Sequence, residues 1–203
     1  MNNLPNTAKK LDKVFGIVHI VLLALAIACI VGVALIAAAY ILKLDPDMIG
    51  TSYENIDIGF IELEVAPAFA PGKWAVLLQA AITLIVGCRL AYDARWGVGC
   101  IREILRPMID EKPFDSIVST NLKKLAKLSI RLGILWNIIT LTEQIMTVFV
   151  YDLPGLLIGE KIAHISANFT VDLSFLIYWA ILLLLSYVFR YGEQLQQLSD
   201  ETL

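Results

Sequence analysis

The stretch VFGIVHIVLLALAIACIVGVALIAAAYIL, Val14 to Leu42, decides the fold: it is a run of 29 residues without an Asp, Glu, Lys or Arg. A helix needs about 20 residues to cross about 30 Å of hydrocarbon, so the run predicts a membrane-spanning helix with length to spare for tilt. Lys9, Lys10 and Lys13 precede it and Ala37, Ala38 and Ala39 lie near its end, which together outline a secretory leader. The apolar stretch of a leader is only about 7–15 residues long, so the run reads as an uncleaved first span.

Three further blocks follow outward from this one. Trp74 opens a stretch free of charge to Cys88, which reaches spanning length only when Arg89 snorkels and the helix continues to Tyr92. Arg131 and Asp152 enclose twenty residues interrupted only by Glu143, and Asp172 and Arg190 enclose seventeen more. Of the 203 residues 58% are hydrophobic and 17% charged, and the mean hydropathy is +0.73, where soluble domains run near 45–50% and about 25%. These figures exclude a soluble globular domain, and the spans leave no room for a large extramembrane catalytic one. The expected architecture is an all-α integral membrane protein, a single four-span domain over residues 1–203. Its spans are about 14–42, 74–92, 131–151 and 172–190, with external loops 43–73 and 152–171, a cytoplasmic loop 93–130 and a cytoplasmic tail 191–203.

Orientation follows from the basic residues, which are retained on the cytoplasmic side near span ends. Of sixteen Lys and Arg, only Lys43, Lys73 and Lys161 fall on the side opposite the N-terminus. Both termini and the middle loop are therefore expected in the cytoplasm of a bacterial cell whose inner membrane holds the chain. The acid gathers in the first external loop at Asp45, Asp47, Glu54, Asp57, Glu62 and Glu64, so the net charge of −3 says little about partners. Direct nucleic-acid binding is not expected.

In that loop apolar and acidic residues alternate from Tyr53 to Val65 on both sides of Gly59, as two short strands about a turn would. Ile165, Ala167, Phe169, Val171 and Leu173 alternate likewise, which suggests a small extracytoplasmic β-like cap of three strands; independent irregular loops are the alternative. In the middle loop Cys100, Ile101, Ile104, Leu105 and Met108 make an apolar stripe at helical spacing, expected to lie along the membrane surface. Pro113 stops that helix, and Phe114 and Asp115 read as a staple residue and an N-cap for the helix that climbs into the third span.

Glu143 is the one acidic residue deep in a span. At 100° per residue Asn137, Thr140, Glu143, Gln144 and Thr147 share a polar arc of about 120°, expected to face the bundle interior. Functionally the stripe could serve as a proton or cation site or a pocket for an amphipathic ligand; structurally it could be interhelical hydrogen bonding, with Gln79 or Thr83 at similar depth. His19 is either a pH switch or a satisfied interhelical hydrogen bonder. Ala24, Ala28 and Gly32 recur every four residues, the small-residue pattern that lets helices approach within the chain or between copies. Cys29, Cys88 and Cys100 make no disulfide framework, and His19 and His164 lie on opposite sides, so no metal or other cofactor is expected. Phosphate-loop, zinc-protease and nucleophile-elbow motifs are missing, so the chain does not read as an enzyme.

The C-terminal stretch Phe189-Arg190-Tyr191-Gly192-Glu193-Gln194-Leu195-Gln196, with Asp200-Glu201-Thr202-Leu203 at the end and Lys112-Pro113-Phe114 in the middle loop, resembles the bacterial membrane family called domain of unknown function 2975. The similarity runs in order along nearly the whole chain. Members of that family are often encoded beside a small helix-turn-helix regulator of Cro/CI type, so the resemblance implies a membrane sensor or partner for a cytoplasmic transcription factor. It brings no catalytic residues. From the residues themselves, Tyr191, Leu195 and Leu198 form one face of a helix leaving the fourth span, either a cytoplasmic docking element or a surface packed back on Ile104, Leu105 and Met108. Two other roles fit the same sequence: a small transporter or immunity-type membrane factor using the stripe around Glu143, and a structural subunit, homo-oligomeric or part of a larger membrane complex.

Overall fold

A computed structural model describes residues 4–44, 55–58, 61–64, 73–110, 114–149 and 169–201. Four long helices dominate it: α1 (Leu4–Ile41), α2 (Lys73–Ile109), α3 (Ser116–Phe149) and α4 (Phe175–Glu201). All four are long and apolar enough to cross a membrane. At 1.5 Å per residue α1, with 38 residues, is about 57 Å long, nearly twice the hydrocarbon thickness.

The helices run well past the apolar blocks that predict them. α2 continues unbroken from Lys73 to Ile109, and only residues 110–115 separate it from α3. The expected cytoplasmic loop 93–130 is therefore mostly helix among the described residues, and its apolar stripe belongs to α2 rather than to a separate surface helix. Cys100 and Leu105 are buried, which turns the stripe expected against lipid into packing within the protein. Pro107 removes one intrahelical hydrogen bond, and α2 ends two residues later. Asp115 caps α3 as expected: its carboxylate accepts from the Ile117 amide at 2.8 Å and its carbonyl from the Val118 amide at 2.9 Å. Phe114 is not a staple, because the residue it would meet on α3 is the hydroxylic Ser119; its ring instead lies 6.0 Å from that of Phe189 on α4. α1 ends with Lys43 in the left-handed region at φ 52°, where the Leu44 amide reaches back to the Ala39 carbonyl at 3.0 Å.

The described residues do not support the expected three-stranded cap. Strands β1 (Asn55–Ile58) and β2 (Ile61–Glu64) pair antiparallel with each other, Ile56 opposite Leu63 and Asp57 opposite Glu62. Among the described residues no third strand joins them: Phe169, Val171 and Leu173 belong to no strand. The Thr170 amide there donates to Gln144 Oε1 at 3.0 Å, so a side chain takes the bond that a sheet would have used. Ile165, Ala167, Asp152, Lys161, His164, Lys112 and Pro113 lie outside the described residues, as do most of both external loops.

The chain divides into two compact units, and α1, α2 and α3 contribute to both. Unit 1 comprises 1–27, 88–136 and 172–203, and unit 2 comprises 28–87 and 137–171. In unit 2 α1 and α2 run antiparallel. A Cβ added at Gly32 would meet Leu84 at 2.9 Å, and Tyr40 meets Trp74 edge to face at 5.3 Å. The small-residue stripe is only partly used. Ala24 and Ala28 are exposed, and the buried positions of α1 are Ala8, Ala26, Cys29 and Ala39. An all-apolar helix carries several small-residue rows, and the partner's position selects among them.

In unit 1 four helical segments pack in antiparallel succession. Asp12 of α1 meets Arg102 of α2, Asp93 of α2 meets Arg131 of α3, and Ser119 of α3 meets Ser186 of α4. The start of α1, the end of α2, the start of α3 and the end of α4 consequently share one end of this unit. The pairing also fixes a stagger. Phe175, Ser186 and Tyr187 of α4 lie beside Gly133, Ser119 and Lys123 of α3. The apolar run of α4 thus flanks the half of α3 that carries Lys123, Lys124, Lys127 and Arg131. The Lys123 ammonium sits 5.4 Å from the Tyr187 ring centre, a cation–π contact that eases its place beside an apolar helix.

Candidate functional site: the polar ties of unit 1 and the α4 tail

Each pair of consecutive helices in unit 1 is joined by a polar contact. Arg102 Nε donates to Asp12 Oδ1 at 2.7 Å. About two turns earlier in α2, Arg95 Nε donates to His19 Nε2 at 2.9 Å. An imidazole nitrogen that accepts a hydrogen bond carries no proton, so His19 is neutral in this arrangement, with its hydrogen on Nδ1. That Nδ1 is buried without a partner. Of the two roles open to His19, the interhelical bond is the one the geometry uses.

The densest cluster lies between α2 and α3. The Asp93 side chain is 2% exposed and accepts from two guanidinium groups: Arg89 on its own helix, Nη2 to Oδ1 at 3.0 Å and Nε to Oδ2 at 3.2 Å, and Arg131 Nη1 to Oδ1 at 3.2 Å. A buried carboxylate requires such compensation. Sequence reasoning missed Asp93, because it was counted as the first residue of a loop. The signal was the four-residue spacing from Arg89, which places both side chains on one face of a helix that continues.

α3 and α4 are joined without an ion pair among the described residues, the Lys123–Tyr187 cation–π contact being their one charged link. Ser186, fully buried, donates from Oγ to the Ser119 carbonyl at 2.8 Å, and Gly133 lets the Phe175 ring against the α3 backbone. At the shared end Phe114 lies over Gly192, where an added Cβ would fall 2.5 Å from the ring. Phe114, just before α3, is thereby fastened to the α4 tail. Beside it opens a cleft of about 940 Å³ carrying both signs of charge: Glu103 and Arg106 from α2, Asp110 just after it, Asp115 at the start of α3 and Lys124 within α3.

Tyr191, Leu195 and Leu198 stand out from this end, 64%, 50% and 59% exposed. They are not packed back onto the middle segment, because Gly192, on a different face of α4, makes the contact with Phe114.

The polar arc of α3 divides in unit 2. Asn137 is buried, Thr140 and Gln144 are half-buried, and Glu143 is exposed, so the expectation that Glu143 faces inward is not met. The angular arithmetic gives the reason: Glu143 lies at the far edge of the arc, about 120° from Asn137. Gln144 has a structural task, holding Thr170 through Nε2 to Oγ1 at 2.9 Å and Oε1 to the amide at 3.0 Å. The side chain of Thr147 lies outside the described set. Among the described residues no three His, Cys, Asp or Glu side chains gather closely enough to hold a metal ion.

Comparison with protein-family models, with curated proteins and with solved structures finds no match to this chain, so the site is read from its own residues.

Proposed function

We propose that the chain is a multi-pass protein of a bacterial inner membrane that presents a helical docking face to a cytoplasmic helix-turn-helix regulator. The carrying observation is the apolar face Tyr191, Leu195 and Leu198, exposed on a continuation of α4 beyond the charge-free stretch that ends at Phe189. Leu195 and Leu198 follow Arg190 and Glu193 and lie beyond the charge-free stretch of α4, so exposed apolar side chains here call for a protein partner. The fastening of Phe114 to Phe189 and Gly192 supports the same reading, because it fixes the root of the tail so that the face is held in one direction. The positive-inside distribution of Lys and Arg supports a cytoplasmic location for this end. The resemblance to a family encoded beside helix-turn-helix regulators suggests the partner, and the three apolar positions at i, i+4 and i+7 suit a helix-in-groove contact.

The test is co-purification from native membranes in a mild detergent, with the tag at the N-terminus and three forms compared: the full chain, a truncation after Arg190, and Leu195→Glu with Leu198→Glu. A regulator recovered with the full chain and lost from both variants supports the proposal. Recovery of the chain with only copies of itself refutes it and favours a structural subunit.

A further inference from the structure

Arg89, Asp93 and Arg131 do more than tie α2 to α3: we infer that they form a binding site for a phosphate group, presented by an anionic lipid headgroup or free in solution. One carboxylate stands against two guanidinium groups, so the cluster carries a net positive charge. Asp93 is the interior member, its side chain 2% exposed, while Arg89 and Arg131 are 50% and 48% exposed. Asp93 occupies Nε and Nη2 of Arg89 and Nη1 of Arg131. A guanidinium has five N–H donors in a rigid fork, so each arginine keeps further donors on its exposed side. Two such forks locked side by side by a buried anion are organised for a tetrahedral oxyanion before it arrives.

Their place in the chain indicates what is in reach. Arg89 is the first charged residue after the charge-free stretch Trp74–Cys88, and Arg131 is the last before the charge-free stretch Leu132–Thr142. α2 and α3 are antiparallel and meet at this level, so both guanidinium groups sit where the two apolar stretches end. Three large aromatic side chains mark the same zone: Tyr92, Trp96 and Trp136 are 56%, 42% and 54% exposed. Exposed Trp and Tyr concentrate at the height of lipid headgroups. The Tyr92 ring lies 5.5 Å from the Arg89 guanidinium carbon, which holds that side chain beside the helix. A simple ion pair explains the contact between the helices, but it needs one arginine. The second arginine, its half-exposed fork and the aromatic belt are what a phosphate site adds.

The experiment uses the full chain in a mild detergent, with native mass spectrometry to count bound lipid from equal amounts of phosphatidylglycerol and phosphatidylcholine. Thermal protection by inorganic phosphate, measured against chloride at equal ionic strength, forms the second arm. Phosphatidylglycerol is expected to be retained in preference to phosphatidylcholine. Arg89→Gln and Arg131→Gln should each weaken that retention by about tenfold or more, the usual worth of a charge-assisted hydrogen bond. Arg106→Gln, an equal loss of charge elsewhere on α2, should leave it unchanged. Preference for phosphatidylglycerol without protection by phosphate assigns the site to a headgroup; protection by phosphate that the same substitutions abolish, without lipid preference, assigns it to a soluble phosphate. Neither preference nor protection in the wild-type chain overturns the inference, as do Gln variants that bind like it. Should a Gln variant fail to fold, Arg89→Lys and Arg131→Lys keep the charge and the bond to Asp93 but lose the fork; undiminished binding by both would overturn the proposal as well.

Discussion

Substituting Gly133 by Ala tests the contact that sets the stagger of α4 against α3. A methyl group there would fall 2.1 Å from Phe175 Cγ, 2.3 Å from Cδ1 and 2.5 Å from Cβ. Carbon atoms pack best at about 3.5–4.0 Å, so none of these distances is tenable. The ring can swing away about χ1, but the Phe175 Cβ does not move in that rotation, and its conflict is relieved only when the helices part by about 1 Å. Overpacking of this kind costs about 1–3 kcal/mol. Ala in place of Gly in a helix interior returns about 1 kcal/mol, which would blur the result if the variant were judged alone. Gly99 supplies the reference: it too lies inside a helix, and a Cβ there meets nothing within 4 Å. Gly99→Ala should therefore unfold at or above the wild-type temperature. Gly133→Ala should lie below Gly99→Ala by the full packing penalty of about 1–3 kcal/mol, several degrees for a chain of this size. Both are measured side by side as thermal unfolding in one detergent. Equal midpoints would show that Phe175 does not face Gly133, and the stagger would have to be abandoned.

Three further outcomes follow from the same geometry. With Cys29, Cys88 and Cys100 replaced by Ala, the pair Gly133→Cys and Phe175→Cys should oxidise to an intramolecular disulfide, seen as a mobility shift reversed by reductant, whereas Gly99→Cys with Phe175→Cys should not. Ser186→Ala removes the bond to the Ser119 carbonyl and should cost about 0.5–1.5 kcal/mol in detergent unfolding; no loss would mean that the two helices do not approach at that point. The Asp172 carboxyl is held below the ordinary carboxylate range, first by the Ser174 hydroxyl and then by the Ser174 amide. Its contribution is thus complete above the unfolded value of about 3.9 and fades as pH falls through the lower folded value. Asp172→Asn should abolish that part of the acid sensitivity, and identical acid profiles for the two proteins would refute the assignment.

The four helices were legible because an apolar run of about 20 residues admits few other structures, and the Asp115 cap was legible because it needs only local spacing. Charge in this sequence ends an apolar run without ending a helix. α2 and α3 therefore continue through Arg89 to Arg106 and back through Lys123 to Arg131; helix was expected over Cys100–Met108 and after Asp115, but not as part of one unbroken run with each span. Asp93 was lost by the same confusion. Glu143 was placed inward because its neighbours Asn137 and Gln144 are polar, yet a 120° arc is wide enough for its two edges to face different surroundings. The row Ala24, Ala28 and Gly32 was a sound pattern with the wrong partner position, since a helix apolar on every side does not reveal which face another helix will choose.

The contact between α3 and α4 rests on a glycine, two serines and a ring seated against backbone, while Ile177, Ile181, Leu184 and Val188 point away from it. Such a pair behaves inversely to a soluble core when solvents are changed. Urea acts chiefly by wetting surface that unfolding uncovers, and parting these helices uncovers little, so its effect should be shallow. A harsh ionic detergent competes for the outward apolar side chains and for the close fit beneath them at once. Resistance to urea together with sensitivity to such a detergent is the solvent signature of a fold held by fit rather than by the expulsion of water.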